Sequence, residues 1–380
     1  MGLNTTASSP VKLARNIAGM AEVWLCRRFN LRPRTLPILA IMATDKCQLK
    51  CKMCGACDYS PGDHDMLTLE EWKAVIDSAA KLRTRIVSIT GGEALLRKDL
   101  FDLIAHIRAK GMAVHLNTNG LLLNDKNVAQ IEALGIETVS VSLESTDPET
   151  HDLIRGKGMF ARTLEGIRRL RQGAPGVRIG VNCVINRHNL DTLPDMVPWA
   201  AQEGVDQIKF APIHSNLQHK DKPLTDYEDM VFDESDLGHL DDVIGEVRTR
   251  LARTQLESTS EPFFKGITNH YRPPASNFYC YAGYAITTID AQGNLSACFD
   301  KAGMANVRQR PLHELWMSDE FQQHRQLVRG CDVACWDTTN AELSLRLSVR
   351  TFLRYPAASF HALRYYLGRR QHGHVRTENR

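Results

Sequence analysis

The feature that most limits the fold of this 380-residue chain is a regular alternation of apolar runs and helical patterns. Between residues 36 and 213, six short apolar runs predict strands, and five amphipathic segments between them predict helices. The predicted strands are 36–43, 84–90, 112–117, 137–143, 178–185 and 206–212, and the predicted helices are 68–82, 98–110, 124–134, 159–172 and 190–203. Such alternation is typical of parallel sheets with right-handed crossovers. We therefore predict an α/β fold, a partial (β/α)6 TIM-like barrel whose ligand site lies at the carboxyl ends of the strands.

Three cysteines, Cys47, Cys51 and Cys54, follow the first predicted strand in the spacing C-x3-C-x2-C. Three thiolates on a short loop can bind three irons of a cubane iron–sulfur cluster, which leaves the fourth iron open. An open metal position is typical of catalytic rather than structural sites. Cys57 adds another C-x2-C, so a zinc knuckle and a ferredoxin-type cluster are the alternatives, although neither usually has this spacing.

Glycines and polar residues cluster at the predicted carboxyl ends of the other strands. Gly91-Gly92-Glu93 follows the second strand, and Asn119 follows the third. Any one of them alone would fit ordinary turn chemistry, since Gly and Asn adopt loop conformations readily. Their common position around one cysteine loop instead indicates a binding site. The other polar residues on or after these strands are Asn117, Ser140, Ser142, Glu144, Asn182 and Lys209.

The cysteine run followed by Gly91-Gly92-Glu93 resembles the radical S-adenosylmethionine (radical SAM) superfamily. Segments 139–144, 151–158 and 181–189 resemble the branch that carries a C-terminal auxiliary-cluster domain of the SPASM or twitch type. The resemblance implies a [4Fe-4S] cluster on three cysteines, with the amino and carboxylate groups of S-adenosylmethionine chelating the fourth iron. It also implies reductive cleavage of that cofactor to a 5′-deoxyadenosyl radical, which abstracts a hydrogen atom from a substrate.

The resemblance further implies which residues hold S-adenosylmethionine. Two adjacent glycines would let the backbone approach the methionine moiety closely. Glu93 would accept from its ammonium group, and Arg155 would bind its carboxylate. Ser and Asn side chains would bind methionine or ribose. The cofactor-binding residues expected in this way are Gly91, Gly92, Glu93, Asn119, Ser142, Arg155 and Asn182.

Four cysteines in the last third of the chain resemble the ligands of the auxiliary-cluster domain. Residues 286–298 predict a β-hairpin, with its turn at 290–293, that brings two of these cysteines into one neighbourhood. Four is the number for one closed [4Fe-4S] cluster, and a structural zinc on the same thiolates is the alternative. The longer cysteine run of two-cluster SPASM domains is missing, so we expect one auxiliary cluster. The proposed ligands are Cys280, Cys298, Cys331 and Cys335.

The predicted organisation has four parts. A basic helical extension (1–35) precedes the radical SAM core (36–255), which is followed by the auxiliary-cluster domain (256–340) and a basic amphipathic extension (341–380). Of the remaining cysteines, Cys183 is expected in the core, whereas Cys26 and Cys57 have no assigned role.

The two ends of the chain are basic although the net charge is only +3. Residues 1–36 carry six Lys and Arg against one Glu, and residues 341–380 carry eight Arg against two Glu. A predicted helix over 10–28 has an apolar stripe formed by Leu13, Ile17, Met20 and Trp24. Residues 357–370 predict a second basic amphipathic helix. Such helices bind an anionic bilayer or cover the open side of the barrel, and we favour the second slightly. No apolar run is long enough to span a bilayer and no signal peptide is evident, so we expect a cytoplasmic protein, with peripheral contact at the membrane as the alternative.

These features favour an enzyme that oxidises or dehydrogenates a small metabolite such as a sugar, an aminocyclitol or a lipid-linked compound. The second electron of the substrate would pass to the auxiliary cluster, and an Asp, Glu, Lys or His would take the proton. A maturase that forms thioether or carbon–carbon bonds in a ribosomally made peptide is the alternative, although no winged-helix segment is recognisable before residue 36. A non-catalytic two-cluster electron carrier is a further alternative. We expect flavodoxin or ferredoxin as electron donor, and no nucleic-acid partner.

Overall fold

The computed structural model describes residues 10–54, 66–213, 228–272, 278–299, 301, 303–331 and 335–354. Its centre is a nine-stranded sheet with the order β6-β5-β4-β3-β2-β1-β7-β8-β9. The strands are β1 (Ile38–Met42), β2 (Ile86–Thr90), β3 (Ala113–Thr118), β4 (Thr138–Ser142), β5 (Arg178–Ile185), β6 (Gln207–Pro212), β7 (Ile286–Ile289), β8 (Asn294–Ser296) and β9 (Ala305–Asn306). Strands β1 to β7 pair in parallel, and β8 and β9 are antiparallel. The predicted α/β class and the six predicted parallel strands are confirmed.

Thirteen α-helices lie in the part of the chain that the structure describes. They are α1 (Pro10–Phe29), α2 (Leu69–Lys81), α3 (Leu100–Ala109), α4 (Asp125–Ala133), α5 (Pro148–Arg155), α6 (Met159–Gly173), α7 (Leu193–Gln202), α8 (Leu237–Leu251), α9 (Glu261–Gly266), α10 (Leu312–Met317), α11 (Asp319–Arg329), α12 (Ala341–Arg346) and α13 (Val349–Arg354). None of the described helices is long and apolar enough to cross a membrane.

Local sequence signals explain several helix boundaries. The Thr68 hydroxyl accepts from the Glu71 backbone N–H while the Glu71 carboxylate accepts from Thr68, so a capping box begins α2. Gly111 and Gly135 adopt positive φ after α3 and α4, as glycines at helix ends commonly do. Helix α5 was not predicted, because its eight residues are shorter than the pattern that identifies a helix securely.

The seventh parallel strand comes from the C-terminal third of the chain. Ile286 to Ile289 of β7 pair with Ile38 to Ile41 of β1, and β7 and β8 form the predicted hairpin. One sheet therefore contains strands from both sides of residue 256. The domain boundary at that residue remains a prediction.

Helix α1 lies across the amino ends of the central strands. Its Val23 and Cys26 pack with Ile38, Ile86 and Ile286, the first residues of β1, β2 and β7. The helix thus covers the amino end of the barrel, whereas the favoured interpretation placed it on the open side. The face that it uses differs from the one predicted, as described below.

The predicted contact face of α1 is wrong where the structure describes its side chains. Ile17 and Trp24 are 50% and 38% exposed, whereas Val23 and Cys26 are buried. The apolar stripe therefore points outward, and a narrower strip of small residues packs on the barrel. The side chain of Leu13, residue Cys57 and the predicted helix at 357–370 lie outside the described residues.

Candidate active site

The glycine pair at the end of β2 packs against the backbone of the cysteine loop. The N–H of Gly92 donates to Thr44 O at 2.8 Å, and the N–H of Glu93 donates to Lys46 O at 2.7 Å. A Cβ on Gly91 or Gly92 would overlap those same backbone carbonyls. The glycines are therefore needed for the contact between two strand-end loops. The sequence predicted another role for these glycines, a close approach of their backbone to the methionine moiety of the cofactor. The packing between the loops does not test that role.

Glu93 is buried beneath the same loops. Its carboxylate accepts from Leu95 N at 3.1 Å, from Thr118 Oγ1 at 2.8 Å and from Asn119 N at 2.7 Å. Burial raises the pKa of the Glu93 carboxyl group, and the three hydrogen bonds oppose that rise. Glu93 thus fixes the end of β3 beside the cysteine loop. Its predicted contact with the ammonium of methionine remains a prediction.

Asn119 connects the end of β3 to the first cysteine. Its Nδ2 lies 3.9 Å from Cys47 Sγ, and its Oδ1 accepts from Gln48 Nε2 at 3.3 Å. The N–H of Leu49 lies 3.4 Å from the same sulfur, so polar hydrogens surround it. Hydrogen-bond donors around a thiolate stabilise its negative charge, which suits an iron ligand.

Arg155, at the end of α5, lies beside the second cysteine. Its Nε and Nη2 bind Glu144 Oε1 at 2.8 and 2.6 Å, and its Nη1 is 3.9 Å from Cys51 Sγ. The other oxygen of Glu144 accepts from Val184 N at 2.7 Å. Burial alone would lower the pKa of Arg155, but the charge of Glu144 raises it overall. In the sequence, this ion pair has no signal beyond a carboxylate at a strand end.

The first three cysteines form one cluster of thiols. Burial raises the pKa of the Cys51 thiol to about 11, the charge of Arg155 opposes this, and the charges of Cys54 and Cys47 add to it. Binding of iron removes the thiol proton, so the metal would overcome this rise. Three soft donors on one loop, with amide and guanidinium groups around them, fit a [4Fe-4S] cluster.

Ser142, Asn182 and Lys209 form one row across β4, β5 and β6. Ser142 is in register with Asn182, and Asn182 with Lys209. Asn182 Nδ2 donates to Asn117 Oδ1 at 3.4 Å, although β5 and β3 are separated by β4. A bond between strands that are not neighbours requires a concave sheet, so this row lines the interior of the partial barrel. His115 adds to the polar lining, with its Nε2 2.8 Å from Ser140 Oγ.

Lys209 is a half-buried lysine within that lining. Burial is the largest effect on its pKa, which falls to about 8, and the charge of Arg346 lowers it further while that of Glu342 raises it. In the sequence, Lys209 is recognisable as a polar residue of the sixth predicted strand, but its role is not.

The four C-terminal cysteines lie at the amino end of the sheet. Cys280 precedes β7 and Cys298 follows β8, which runs back antiparallel to β7. The pKa of the Cys335 thiol is raised by burial first, then by Asp337, and also by Cys280, Cys298 and Cys331. The structure therefore brings the four predicted auxiliary ligands into one neighbourhood.

A site for one metal ion needs its ligands closer together than a cubane cluster does. Within the described ranges, no three side chains of His, Cys, Asp or Glu are spaced to hold one metal ion. The thiolates of a cubane each bind a different iron.

Comparison with known proteins agrees with this geometry. Residues 41–199 match the radical SAM superfamily, so the chain carries a radical SAM domain. Residues 280–337 match the SPASM iron–sulfur cluster-binding domain, which specifies the branch and confirms the resemblance seen in the sequence. Its cofactors are accordingly a [4Fe-4S] cluster with S-adenosylmethionine, and an auxiliary iron–sulfur cluster.

Two curated relatives have most of their length in common with this chain. An AdoMet-dependent heme synthase from Oleidesulfovibrio alaskensis is 26% identical, over 80% of this chain and 82% of its own. A PqqA peptide cyclase from Streptomyces rochei is 28% identical, over 76% of this chain and 77% of its own. Among solved structures, Streptococcus suis SuiB bound to S-adenosylmethionine has a TM-score of 0.63 at 18% identity, covering 86% of this chain and 75% of that one. That likeness supports the fold.

Proposed function

We propose that this chain is a radical SAM enzyme that oxidises a small molecule held inside its barrel. The observation that carries the proposal is the placement of two cysteine sets at opposite ends of one parallel sheet, with a polar interior between them. Strand β1 has five residues, which at about 3.3 Å per residue span roughly 16 Å. A substrate in the interior would therefore lie between the two sets.

In this proposal each cysteine set has its own role. Cys47, Cys51 and Cys54 hold the open cluster, and the auxiliary cluster is held by Cys280, Cys298, Cys331 and Cys335. When bound, the first cluster with S-adenosylmethionine supplies the radical that abstracts hydrogen, and the auxiliary cluster accepts an electron. The substrate loses one hydrogen atom, then one electron and one proton, which is a two-electron oxidation. S-adenosylmethionine becomes 5′-deoxyadenosine and methionine. The reducing electron comes from flavodoxin or ferredoxin.

The ion pair beside Cys51 orients the cofactor-binding arginine. Glu144 holds Nε and Nη2 of Arg155, which leaves Nη1 directed toward Cys51. A guanidinium fixed in this way would suit the carboxylate of the methionine moiety of S-adenosylmethionine. The hydrogen bond that Asn182 donates to Asn117 Oδ1 similarly fixes Asn182, and Ser142 lies in register with Asn182. Gly91, Gly92, Glu93 and Asn119 shape the loops around them.

Lys209 is the proposed proton acceptor. It is next to Asn182 in the interior row, one strand farther from the cysteine loop. With a pKa of about 8, a substantial fraction of the amine is neutral near pH 7 to 8 and can take a proton from the substrate. Asn182 would thus contact the cofactor, while Lys209 contacts the substrate.

The names of the relatives favour a small molecule as the substrate. One is named an AdoMet-dependent heme synthase, and another, from Methanosarcina barkeri, is named an Fe-coproporphyrin III synthase and is 27% identical over 75% of this chain. Peptide modification is the second candidate, because other relatives of similar identity are named PqqA peptide cyclases.

The test is anaerobic turnover of the reconstituted protein. With dithionite and S-adenosylmethionine, we expect 5′-deoxyadenosine, and we expect its loss in Cys51→Ala. Deuterium from a labelled substrate should appear in 5′-deoxyadenosine only when the substrate is the right one. Candidate metabolites and candidate peptides can be compared in the same assay. A protein with about eight irons per chain that forms no 5′-deoxyadenosine would contradict the proposal and favour an electron carrier.

A further inference from the structure

The outward side of helix α1 is almost entirely apolar. We call this side the outer face of α1; its residues are Ala14, Ile17, Ala18, Ala21, Trp24, Leu25, Arg28 and Phe29. All eight are exposed, and they recur at three- and four-residue spacing along one side of the helix. Leu25 and Phe29 are 45% and 61% exposed, and Leu31 just beyond is 55% exposed. A helix on a globular protein ordinarily turns such a face inward.

Contacts on both sides of the helix hold the outer face outward. The Glu22 carboxylate accepts from Arg34 N and Thr35 Oγ1, each at 2.7 Å. On the other side, the Arg27 guanidinium donates to Cys280 O and lies 3.8 Å from the Tyr279 ring centroid. Together with the buried Val23 and Cys26, these contacts prevent the helix from rolling its apolar side onto the barrel.

We propose that the outer face of α1 binds the surface of an anionic lipid bilayer. Helix α1 has 20 residues and is about 30 Å long, so it can lie in the plane of the interface. Trp24 and Phe29 are side-chain types that favour the headgroup region. Among the eight residues of this face, all of which have described side chains, Arg28 alone is charged. A helix with one apolar side and basic residues is typical of interfacial anchors.

Charge complementarity selects the bilayer over another copy of this chain. Residues 1–36 hold six basic residues and one acidic residue. Of the basic residues among them whose side chains the structure describes, Arg28 on the face and Arg34 just beyond the helix are exposed. Two copies that met through the same face would bring their Arg28 side chains together, which is unfavourable. Anionic headgroups instead attract each basic residue near the surface by about 1 kcal/mol. This inference does not depend on the proposed oxidation.

The test is flotation of the purified full-length chain with lipid vesicles. We expect binding to vesicles of phosphatidylcholine with phosphatidylglycerol, weaker binding to phosphatidylcholine alone, and release at high salt. Trp24→Glu with Phe29→Glu should abolish binding, and Arg28→Glu should weaken it about tenfold on anionic vesicles. Leu153→Glu is the matched control, because Leu153 is 57% exposed on α5 near the carboxyl end of the barrel. It should bind like the wild type.

Fluorescence of Trp24 gives a second readout, with Trp24→Phe as the subtraction for the other four tryptophans. We expect Trp24 to be quenched by acrylamide in the free protein and shielded, with a blue shift, on anionic vesicles. Shielding of Trp24 in the absence of lipid would show that another part of the chain covers the face, and would overturn the proposal. So would a dimer in light scattering that Trp24→Glu dissociates, or vesicle binding unchanged by the double substitution in a protein whose circular dichroism is intact.

Discussion

At the scale of single residues, Lys209 shows how the barrel interior tunes one amine. It lies near two ion pairs, Arg178–Glu257 at 2.6 Å and Arg346–Glu342 at 2.5 Å. The arginines of these pairs lower its pKa and the glutamates raise it, but burial has the largest effect. The folded state therefore disfavours the charged form of Lys209, and a pH-dependent cost to stability follows.

We predict that Lys209→Met stabilises the protein at pH 7 and that the gain shrinks as the pH rises. The pKa of Lys209 is about 8 in the folded state, against an ordinary value of 10.5. Between these values the unfolded chain binds more protons, so wild-type stability rises with pH. Urea unfolding should show the difference in free energy narrowing by on the order of 3 kcal/mol between pH 7 and 10.5. Lys98→Met, at an exposed lysine, is the control, and a parallel pH profile for the two variants would contradict the prediction.

The sequence was enough to identify the polar residues at the strand ends as candidate site residues. It did not indicate which hydrogen-bond or ion-pair partners they have. Glu144 and Arg155 are eleven positions apart and are joined by an unpredicted helix, so nothing in the local pattern indicated that they pair. Glu93 was chosen for its charge, yet in the structure its carboxylate accepts from three neighbours. Hydrogen bonding inside a site depends on packing between elements, which periodicity does not report.

At the scale of elements, the contact between the β2 loop and the cysteine loop depends on Gly92. We predict that Gly92→Ala destabilises the protein by about 1–3 kcal/mol and lowers the iron content after reconstitution, because a Cβ would overlap Lys46 O. Thermal unfolding and iron analysis measure the two effects. Gly245→Ala in α8 is the control: nothing lies near its added Cβ, and it should stabilise by about 0.5–1 kcal/mol. Wild-type iron and stability in Gly92→Ala would refute this account.

Helix α1 illustrates which part of an element a sequence can predict. Its helical pattern was predicted from the sequence, but its place at the amino end of the barrel and its orientation were not. The stripe at Ile17 and Trp24 carries the stronger apolar signal, whereas the buried strip uses Gly19, Val23 and Cys26, whose small size allows close packing. Small residues contribute little to an apolar pattern, so the weaker face was overlooked.

At the scale of the whole molecule, sequential strand–helix units were predictable and the closing strand was not. Strands β1 to β6 follow each other along the chain, so local periodicity locates them. Strand β7 pairs with β1 from the opposite end of the chain, and such a distant contact leaves no local signal. The hairpin of β7 and β8 was expected, but its place in the main sheet was not. That place puts the auxiliary cysteines at the amino end.

Because the two cysteine sets lie at opposite ends of the sheet, we predict that each set binds its iron–sulfur cluster independently of the other. Cys280→Ala with Cys298→Ala should lower iron from about eight to about four per chain and preserve 5′-deoxyadenosine formation with dithionite. Oxidation of the substrate should fall by about tenfold or more, because the second electron loses its acceptor. Iron analysis and product quantification provide the measurements. Full retention of iron would rule out the assigned auxiliary ligands, and loss of all iron would rule out independence.

The position of α1 has a consequence for the route by which a substrate arrives. The outer face points away from the amino end of the barrel, whereas the cysteine loop opens at the carboxyl end. A chain held to a bilayer through α1 would therefore turn its entrance toward water. The membrane would hold the protein in place, and the substrate would not reach the site from the lipid phase. This geometry favours water-borne metabolites, and it disfavours compounds whose reactive carbon stays close to a lipid anchor.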